Sequence, residues 1–288
     1  MSTAKNISVI GGDTRQIYTA LYLSEKKYDV SVFGFEHSTK VKNLKGCNSL
    51  EEAMKNEIII LPLPVTKNKK VLNTAFAKNN IALEDIIKLT TENHKIFLGM
   101  APKNVLREFQ GKGAVCEDYF EKEEFTLKNA LLTSEGILSV LLEKIPSTIF
   151  GMDVAITGYG RIAGYTAQRL KLLGADVSIF ARDPVALTKA ENSGLKAHKL
   201  NELILHANNF DCIINTVPSL IITDEIIKRT KPSVLLVETA SAPYGTDFIA
   251  AEQYERDVHK AFSLPGKTAP KTAGIIIAQT IEQLLKEV

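Results

Sequence analysis

Residues 152–183 read MDVAITGYGRIAGYTAQRLKLLGADVSIFARD. A short apolar run, Val154 to Thr157, meets a glycine turn, Gly158-Tyr159-Gly160. An amphipathic stretch follows to Leu173, and a second apolar run covers Val177 to Phe180. Strand, glycine turn, helix and strand in that order open a dinucleotide-binding unit. Gly158 permits the tight turn, and Gly160 lets the backbone approach a pyrophosphate. Arg161 and Ile162 begin the helix, whose first N–H groups and positive dipole end favour an anion. Ala163 takes the third glycine position, where a small residue lets helix and strand pack closely. The competing reading is a glycine turn of an α/β fold with nothing bound.

The tip of the second strand bears on which dinucleotide fits. A carboxylate there would accept hydrogen bonds from a ribose 2′-hydroxyl. Here the strand ends Phe180-Ala181 and Arg182 follows. Nothing acidic repels a 2′-phosphate, and a guanidinium is placed to grip one. NADP(H) is therefore expected over NAD(H), which remains the alternative. Asp183 argues the other way, but Pro184 after it marks it as a helix N-cap. Two later loops, Asn215-Thr216-Val217-Pro218 and Glu238-Thr239-Ala240-Ser241, follow strands of the same unit and are expected to cover the nicotinamide and its ribose.

Composition narrows the classes. With 35 basic against 33 acidic residues the net charge is +2, which argues against nucleic acid or a membrane surface as partner. Apolar residues at 45% and charged residues at 24% suit a globular chain, and 288 residues suffice for two α/β domains. A spanning helix needs about 18 or more apolar residues in a row, and no run approaches that. Ile7 to Ile10 reads as a strand almost at once, so no signal peptide is expected. Cys47, Cys116 and Cys212 are odd in number and far apart, so a reduced, cytoplasmic chain is expected, with Cys116 and Cys212 as buried thiols. The five histidines lack metal-ligand spacing, and no metal is expected.

Strand-like runs at Ile7–Ile10, Val30–Phe33, Ile58–Leu61, Lys95–Leu98 and Ala114–Cys116 alternate with helical patterns at Thr14–Ser24, Ser49–Met54, Val71–Ala77 with Glu84–Leu89, and Pro102–Phe109. Such alternation implies a parallel sheet with helices on both faces. A helix over Thr133–Lys144, ended by Pro146, is expected to cross to a second domain. There Asp183–Ser193, Asn201–Ala207 and Asp224–Arg229 read as helices. Cys212–Asn215, Val234–Val237 and Val258–Phe262 read as the fourth to sixth strands. Leu264-Pro265-Gly266 breaks the pattern, and Pro270 starts a last helix to Lys286. The expected fold is α/β, with two doubly wound parallel-sheet domains. A flavodoxin-like substrate-side domain covers 1–128 and is rejoined by the helix 269–288. A Rossmann NAD(P)-binding domain covers 129–268.

Ligands bind beyond the carboxyl ends of strands in such sheets. After the first strand, Gly11-Gly12-Asp13-Thr14-Arg15-Gln16 lacks dinucleotide spacing, and Asp13 with Gln16 fits a capping box. Arg15 has no such duty and places a cation where it opposes its own helix dipole. A substrate carboxylate would explain it; a solvated arginine is the bland alternative. The loop Leu61–Thr66 offers backbone but no acid or base. In NALLTSEG, Asn129 to Gly136, Thr133 suits an N-cap and Glu135 a first turn, with a catalytic carboxylate as the sharper reading. In LPGKTAPKTAG, Leu264 to Gly274, Pro270 marks a helix start and hence an anion site, beside Lys267, Lys271 and Thr272.

These loops resemble those of the dipicolinate synthase A subunits of spore-forming bacteria. The matching pieces are VIGGDTRQ (9–16), NALLTSEG (129–136), GYGRIAG (158–164), NTVPS (215–219), YGTDF (244–248) and LPGKTAPKTAG (264–274), in order along the chain. The resemblance implies a fold like that of two-domain dehydrogenases acting on 2-hydroxy acids. It implies oxidation of a dihydro precursor of the lysine pathway to dipicolinate during sporulation, in company with a flavoprotein-like B subunit. Where Lys267 and Thr268 stand the family commonly has an apolar pair, which leaves Lys271 the stronger candidate.

The residues and the resemblance together point to an oxidoreductase that binds NADP(H) in the second domain and a small dicarboxylate in the interdomain cleft. Arg15, Gln16, Thr133, Lys271 and Thr272 are the expected substrate contacts; Asp13, Glu135 and Lys271 are the candidates for proton transfer. A homo-oligomer is expected. Dehydrogenases of 2-hydroxy acids need a histidine base near Leu264 to Thr272, and none stands there. Two other readings stay open: an NADP-dependent dehydrogenase of another small carboxylic acid, and a non-catalytic nucleotide-binding component of a flavoprotein complex.

Overall fold

The structure, a computed structural model, describes residues 5–287. It divides into two units: one runs to Lys128 and resumes at Ala269, and the other is Asn129–Thr268.

The first unit is a parallel six-stranded sheet. Its elements are β1 (Asn6–Ile10), α1 (Thr14–Glu25), β2 (Asp29–Phe33), β3 (Lys45–Gly46), α2 (Leu50–Ala53), β4 (Ile58–Ile60), α3 (Leu83–Leu89), β5 (Lys95–Leu98), α4 (Lys103–Gln110) and β6 (Val115–Asp118). The strand order is β3-β2-β1-β4-β5-β6. Without the two-residue β3, the other five stand in the flavodoxin-like order; β3 extends the edge to the order of a Rossmann sheet. The central strands are buried on both faces, so Ile58-Ile59-Ile60 reads as an unbroken apolar run rather than an alternation. Val71–Ala77, expected as helix, is irregular. Its backbone bridges to Gly12, Thr66 and Ala82 instead of closing helical turns, so tertiary partners overrode local propensity.

Next comes α5 (Glu123–Lys144), 22 residues long. The expected start at Thr133 is wrong. Thr133 lies mid-helix with its hydroxyl on Asn129 O at 2.8 Å, and Ser134 bonds Leu131 O at 2.7 Å. These hydroxyls satisfy themselves within the helix, so neither caps it. This helix is long and apolar enough to cross a membrane by length and composition alone. Its buried side chains serve protein cores instead: Phe125 packs edge-on against Tyr119, and Ile137, Val140 and Leu141 join the core of the second unit.

The second unit contains β7 (Asp153–Thr157), α6 (Arg161–Leu172), β8 (Asp176–Ala181), α7 (Pro184–Asn192), β9 (Lys196–Lys199), α8 (Leu203–His206), β10 (Cys212–Asn215), α9 (Asp224–Arg229), β11 (Leu235–Glu238), α10 (Phe248–Gln253), β12 (Asp257–Lys260) and α11 (Leu264–Thr268). The order β12-β11-β10-β7-β8-β9 is that of a Rossmann sheet, with its switch point between β7 and β10. No apolar run marks β9, whose sequence is KAHK, because it is a half-exposed edge. Leu264-Pro265-Gly266, expected as a break, begins the one-turn helix α11. Gly136 of α5 is what admits it: a Cβ there would lie 2.6 Å from Leu264 Cβ.

The last helix, α12 (Pro270–Glu287), belongs to the first unit and lies along α1. Ile277, Ala278, Ile281 and Leu284 share a core with Ile17, Ala20 and Leu23. The two helices meet most closely at Gly274, where a Cβ would fall 2.3 Å from Arg15 O. Of the thiols, Cys212 is fully buried and Cys116 half-buried; burial pushes Cys212 up and Cys116 up to about 11, so neither is poised to react.

Candidate functional site

The turn after β7 is built for a close visitor. Gly158 has φ +81°, and a Cβ on it would lie 2.9 Å from Val217 Cγ2 and 3.0 Å from Thr216 Oγ1. Gly160 is the N-cap of α6 and offers no side chain to the helix end, and a Cβ there would meet nothing within 4 Å. The start of α6 thus has no side-chain cap and open space beside Gly160, as the close approach of a pyrophosphate requires. Tyr159 and Ile162 pack against the apolar core, and Ala163 is fully buried between helix and sheet. The two glycines do different work, which yields a prediction. Gly158→Ala forces a left-handed residue, about 1–2 kcal/mol, into a tight contact, so thermal denaturation should show a clear fall in Tm.

A buried polar chain runs across the carboxyl ends of β7, β10 and β11. Thr157 Oγ1 is 2.6 Å from Asn215 Oδ1. Asn215 Nδ2 donates to Glu238 Oε1 at 2.8 Å and to Val217 O at 3.0 Å. Thr216 Oγ1 donates to Thr157 O, and Thr239 Oγ1 to Asn215 O. Thr157, Asn215 and Glu238 are all fully buried. These bonds fix the two loops expected beside the nicotinamide, with Pro218 and Ser241 exposed and Ala240 buried. Asn215 and Glu238, expected only as the first residues of those loops, are the functional candidates to which motif reading gave no individual role. The signal was there, since both are polar residues ending apolar strand runs.

At the tip of β8, Ala181 is buried and Arg182 is exposed, without an ion-pair partner among the described residues. Asp183 is the N-cap of α7, accepting from Val185 N at 3.0 Å, with Pro184 in the first turn. Its carboxylate already serves its own helix.

The corresponding turn of the first unit is closed. Gly12 N donates to Asn73 O at 2.8 Å and Ala75 N to Gly12 O at 2.9 Å, so the chain itself covers the glycines. Asp13 and Gln16 form the capping box of α1. Arg15, expected to be without structural duty, has one. Its side chain is 5% exposed; Nε and Nη2 bond Asp13, at 3.0 Å and 2.8 Å for the shortest contacts, and Nη2 also donates to Leu63 O. Burial made this clamp necessary, because a buried guanidinium without acceptors would be costly. Gln16 is fully buried, with Nε2 unbonded.

Lys271 and Thr272 stand exposed on the first turn of α12, one turn before the Gly274 contact with Arg15 O. The starts of α1 and α12 are thus neighbours within one unit. Glu135 is not in a first turn; it is an exposed mid-helix residue, 3.9 Å from Arg169 Nη2. Thr133 is 7% exposed with its hydroxyl engaged. Among the described residues no group of three His, Cys, Asp or Glu could hold a metal.

Fold and site together define a two-domain α/β protein with a nicotinamide-dinucleotide-binding unit. Residues 142–245 match the family described as D-isomer specific 2-hydroxyacid dehydrogenase, NAD binding domain, and residues 6–120 match the N-terminal domain of the dipicolinate synthase A subunit. The dipicolinate synthase A subunit of Bacillus subtilis (strain 168) is 32% identical over 100% of this chain and 98% of its own length. The crystal structure of the Bacillus subtilis dipicolinate synthase A chain superposes with a TM-score of 0.87, covering 100% of this chain and 97% of that one. That of the Bacillus halodurans protein of the same name gives 0.88 at 26% identity, over 99% of each chain. The chain belongs to the family of dipicolinate synthase A subunits. A phosphoglycerate oxidoreductase from Vibrio cholerae o395, at 16% identity and a TM-score of 0.60 over 98% of each chain, shares the fold.

Proposed function

We propose that this chain is the NADP-dependent oxidoreductase component of a dipicolinate synthase. The observation that carries the reading is the uncapped α6 N-terminus at Gly160, open on the side where a Cβ would meet nothing. The full-length kinship supports the substrate. The cofactor, when bound, accepts a hydride. Gly158, Gly160 and the first turn of α6 hold its pyrophosphate, and Arg182 holds the 2′-phosphate. Thr216-Val217-Pro218 and Ala240-Ser241 line its other end.

The substrate in this reading is a dihydropyridine-type dicarboxylate precursor from lysine synthesis, which loses a hydride and a proton to become the aromatic dicarboxylate. The exposed first turn of α12 supplies Lys271 and Thr272 for one carboxylate. Asp13, Glu135 and Lys271 are the groups to carry the proton. Arg15 acts by holding Asp13 in place and leaves Nη1 as its own nitrogen without a partner among the described residues. A flavoprotein-like B subunit works beside this one.

Lys271→Met tests the substrate half. The lysine is exposed, so the fold should be untouched. Calorimetry should show dipicolinate affinity falling about thirtyfold, or ~2 kcal/mol, with NADPH affinity unchanged. Wild-type dipicolinate affinity would remove Lys271 from the site, and loss of NADPH binding instead would move it to the cofactor. Arg15→Met is the poorer test, because it also breaks an internal clamp.

A further inference from the structure

Glu238 is a buried carboxylate at the end of β11 that ties its own loop to the one after β10. Its oxygens accept from Asn215 Nδ2 at 2.8 Å, Ala240 N at 2.9 Å and Gly245 N at 3.0 Å. Every one of these is an N–H donor, the pattern of an ionised carboxylate. The residue is 0% exposed, and no described cation lies within ion-pair distance. Lys260, its register partner on β12, is exposed and holds its ammonium 4.2 Å above the Phe248 ring. A full negative charge is therefore buried, with hydrogen bonds but no counter-ion, at the carboxyl end of β11. Burying a charge in this way is costly, and it persists where function requires it.

Its position gives the function. In a Rossmann sheet the dinucleotide lies across the switch point, here between β7 and β10, with its two halves on opposite sides. The 2′-phosphate end belongs to β8, so β10 and β11 carry the nicotinamide half. The oxidised nicotinamide ring is a cation and the reduced ring is neutral. A fixed negative charge at the end of a strand on that side, in low dielectric, would stabilise the cationic ring more than the neutral one. The close fit of the loop supports a fixed position: a Cβ at Gly245 would fall 2.3 Å from Asn215 Nδ2 and 2.6 Å from Val217 O.

We propose that Glu238, held by Asn215, Ala240 and Gly245, is a positioning residue whose buried charge makes the unit select the oxidised nicotinamide dinucleotide over the reduced one. This rests on the dinucleotide reading of the unit and deepens it: the chain is set to receive a hydride rather than to deliver one.

The test is calorimetric, with three ligands: NADP+, NADPH, and 2′-phospho-ADP-ribose, which lacks the nicotinamide. Wild-type protein should bind NADP+ at least as tightly as NADPH. Glu238→Gln removes the charge and one hydrogen bond. It should weaken NADP+ about tenfold relative to NADPH, a shift of ~1.4 kcal/mol, and leave 2′-phospho-ADP-ribose unchanged. Glu238→Asp keeps the charge and should keep the wild-type ratio. A role confined to holding the loops would weaken both nicotinamide forms equally, and that result overturns the proposal. So does wild-type protein that prefers NADPH by tenfold or more, a measurement that needs no variant. If wild type bound none of the three ligands, the dinucleotide reading itself would fall, and this proposal with it.

Discussion

Gly160→Val should abolish dinucleotide binding without unfolding the protein. The two halves of that result have separate causes. The fold survives because a Cβ at Gly160 meets no atom within 4 Å, and its φ of −83° is open to any residue. Binding fails because that open space is where a pyrophosphate approaches the first N–H groups of α6. A branched side chain there holds the phosphates away from the helix end and removes several charge-assisted hydrogen bonds together. The affinity for NADPH should fall by about a hundredfold or more, at least ~2.7 kcal/mol. Circular dichroism and Tm should match wild type. A folded variant that still bound NADPH would remove the cofactor from this turn. Gly158→Ala should give the opposite pairing, a weaker fold from a residue two positions away, since Gly158 has φ +81° and close neighbours.

The second large effect concerns cofactor choice. Ala181→Asp combined with Arg182→Ser should shift preference from NADPH toward NADH by about tenfold to a hundredfold, because a charge-assisted phosphate contact is worth roughly 1.5–3 kcal/mol. Arg182 is exposed and Asp183 is engaged as the N-cap of α7, so Arg182 is the charged residue at this strand tip with its head group available. The substitution exchanges that cation for an acceptor suited to a ribose diol. Titrations of the variant with both reduced cofactors read the ratio directly. An unchanged ratio would mean that Arg182 does not reach the 2′-phosphate.

How much of this was legible beforehand depended on whether the information was local. The β7–α6–β8 unit was, because strand, turn and helix each leave a short-range signature: apolar β-branched runs, glycines at a turn, a capping Asp before Pro. The same holds for the capping box at Asp13 and Gln16. Elements without a local signature were missed. The edge strands β3 and β9 have little apolar content, because edges bury little. The segment Val71–Ala77 carries a helix-like composition, yet its backbone partners come from residues distant in sequence. Thr133 carries the chemistry of a cap, and only the continuation of α5 through Glu123–Asn129 takes that role away.

Neighbouring residues were enough to establish the α/β class, the dinucleotide turn, the lack of a carboxylate at the tip of β8, and the family resemblance carried by the loops. What those residues are free to do emerged only from the assembled fold. Folding turned Arg15 inward onto Asp13 and Leu63 O, because a buried guanidinium must find acceptors. It set the start of α12 beside that of α1, because Gly274 leaves room for Arg15 O. It also gathered Thr157, Asn215 and Glu238 from three strands into one buried chain. Hydrogen bonds between residues 23 and 58 positions apart come from strand order, which no local pattern records.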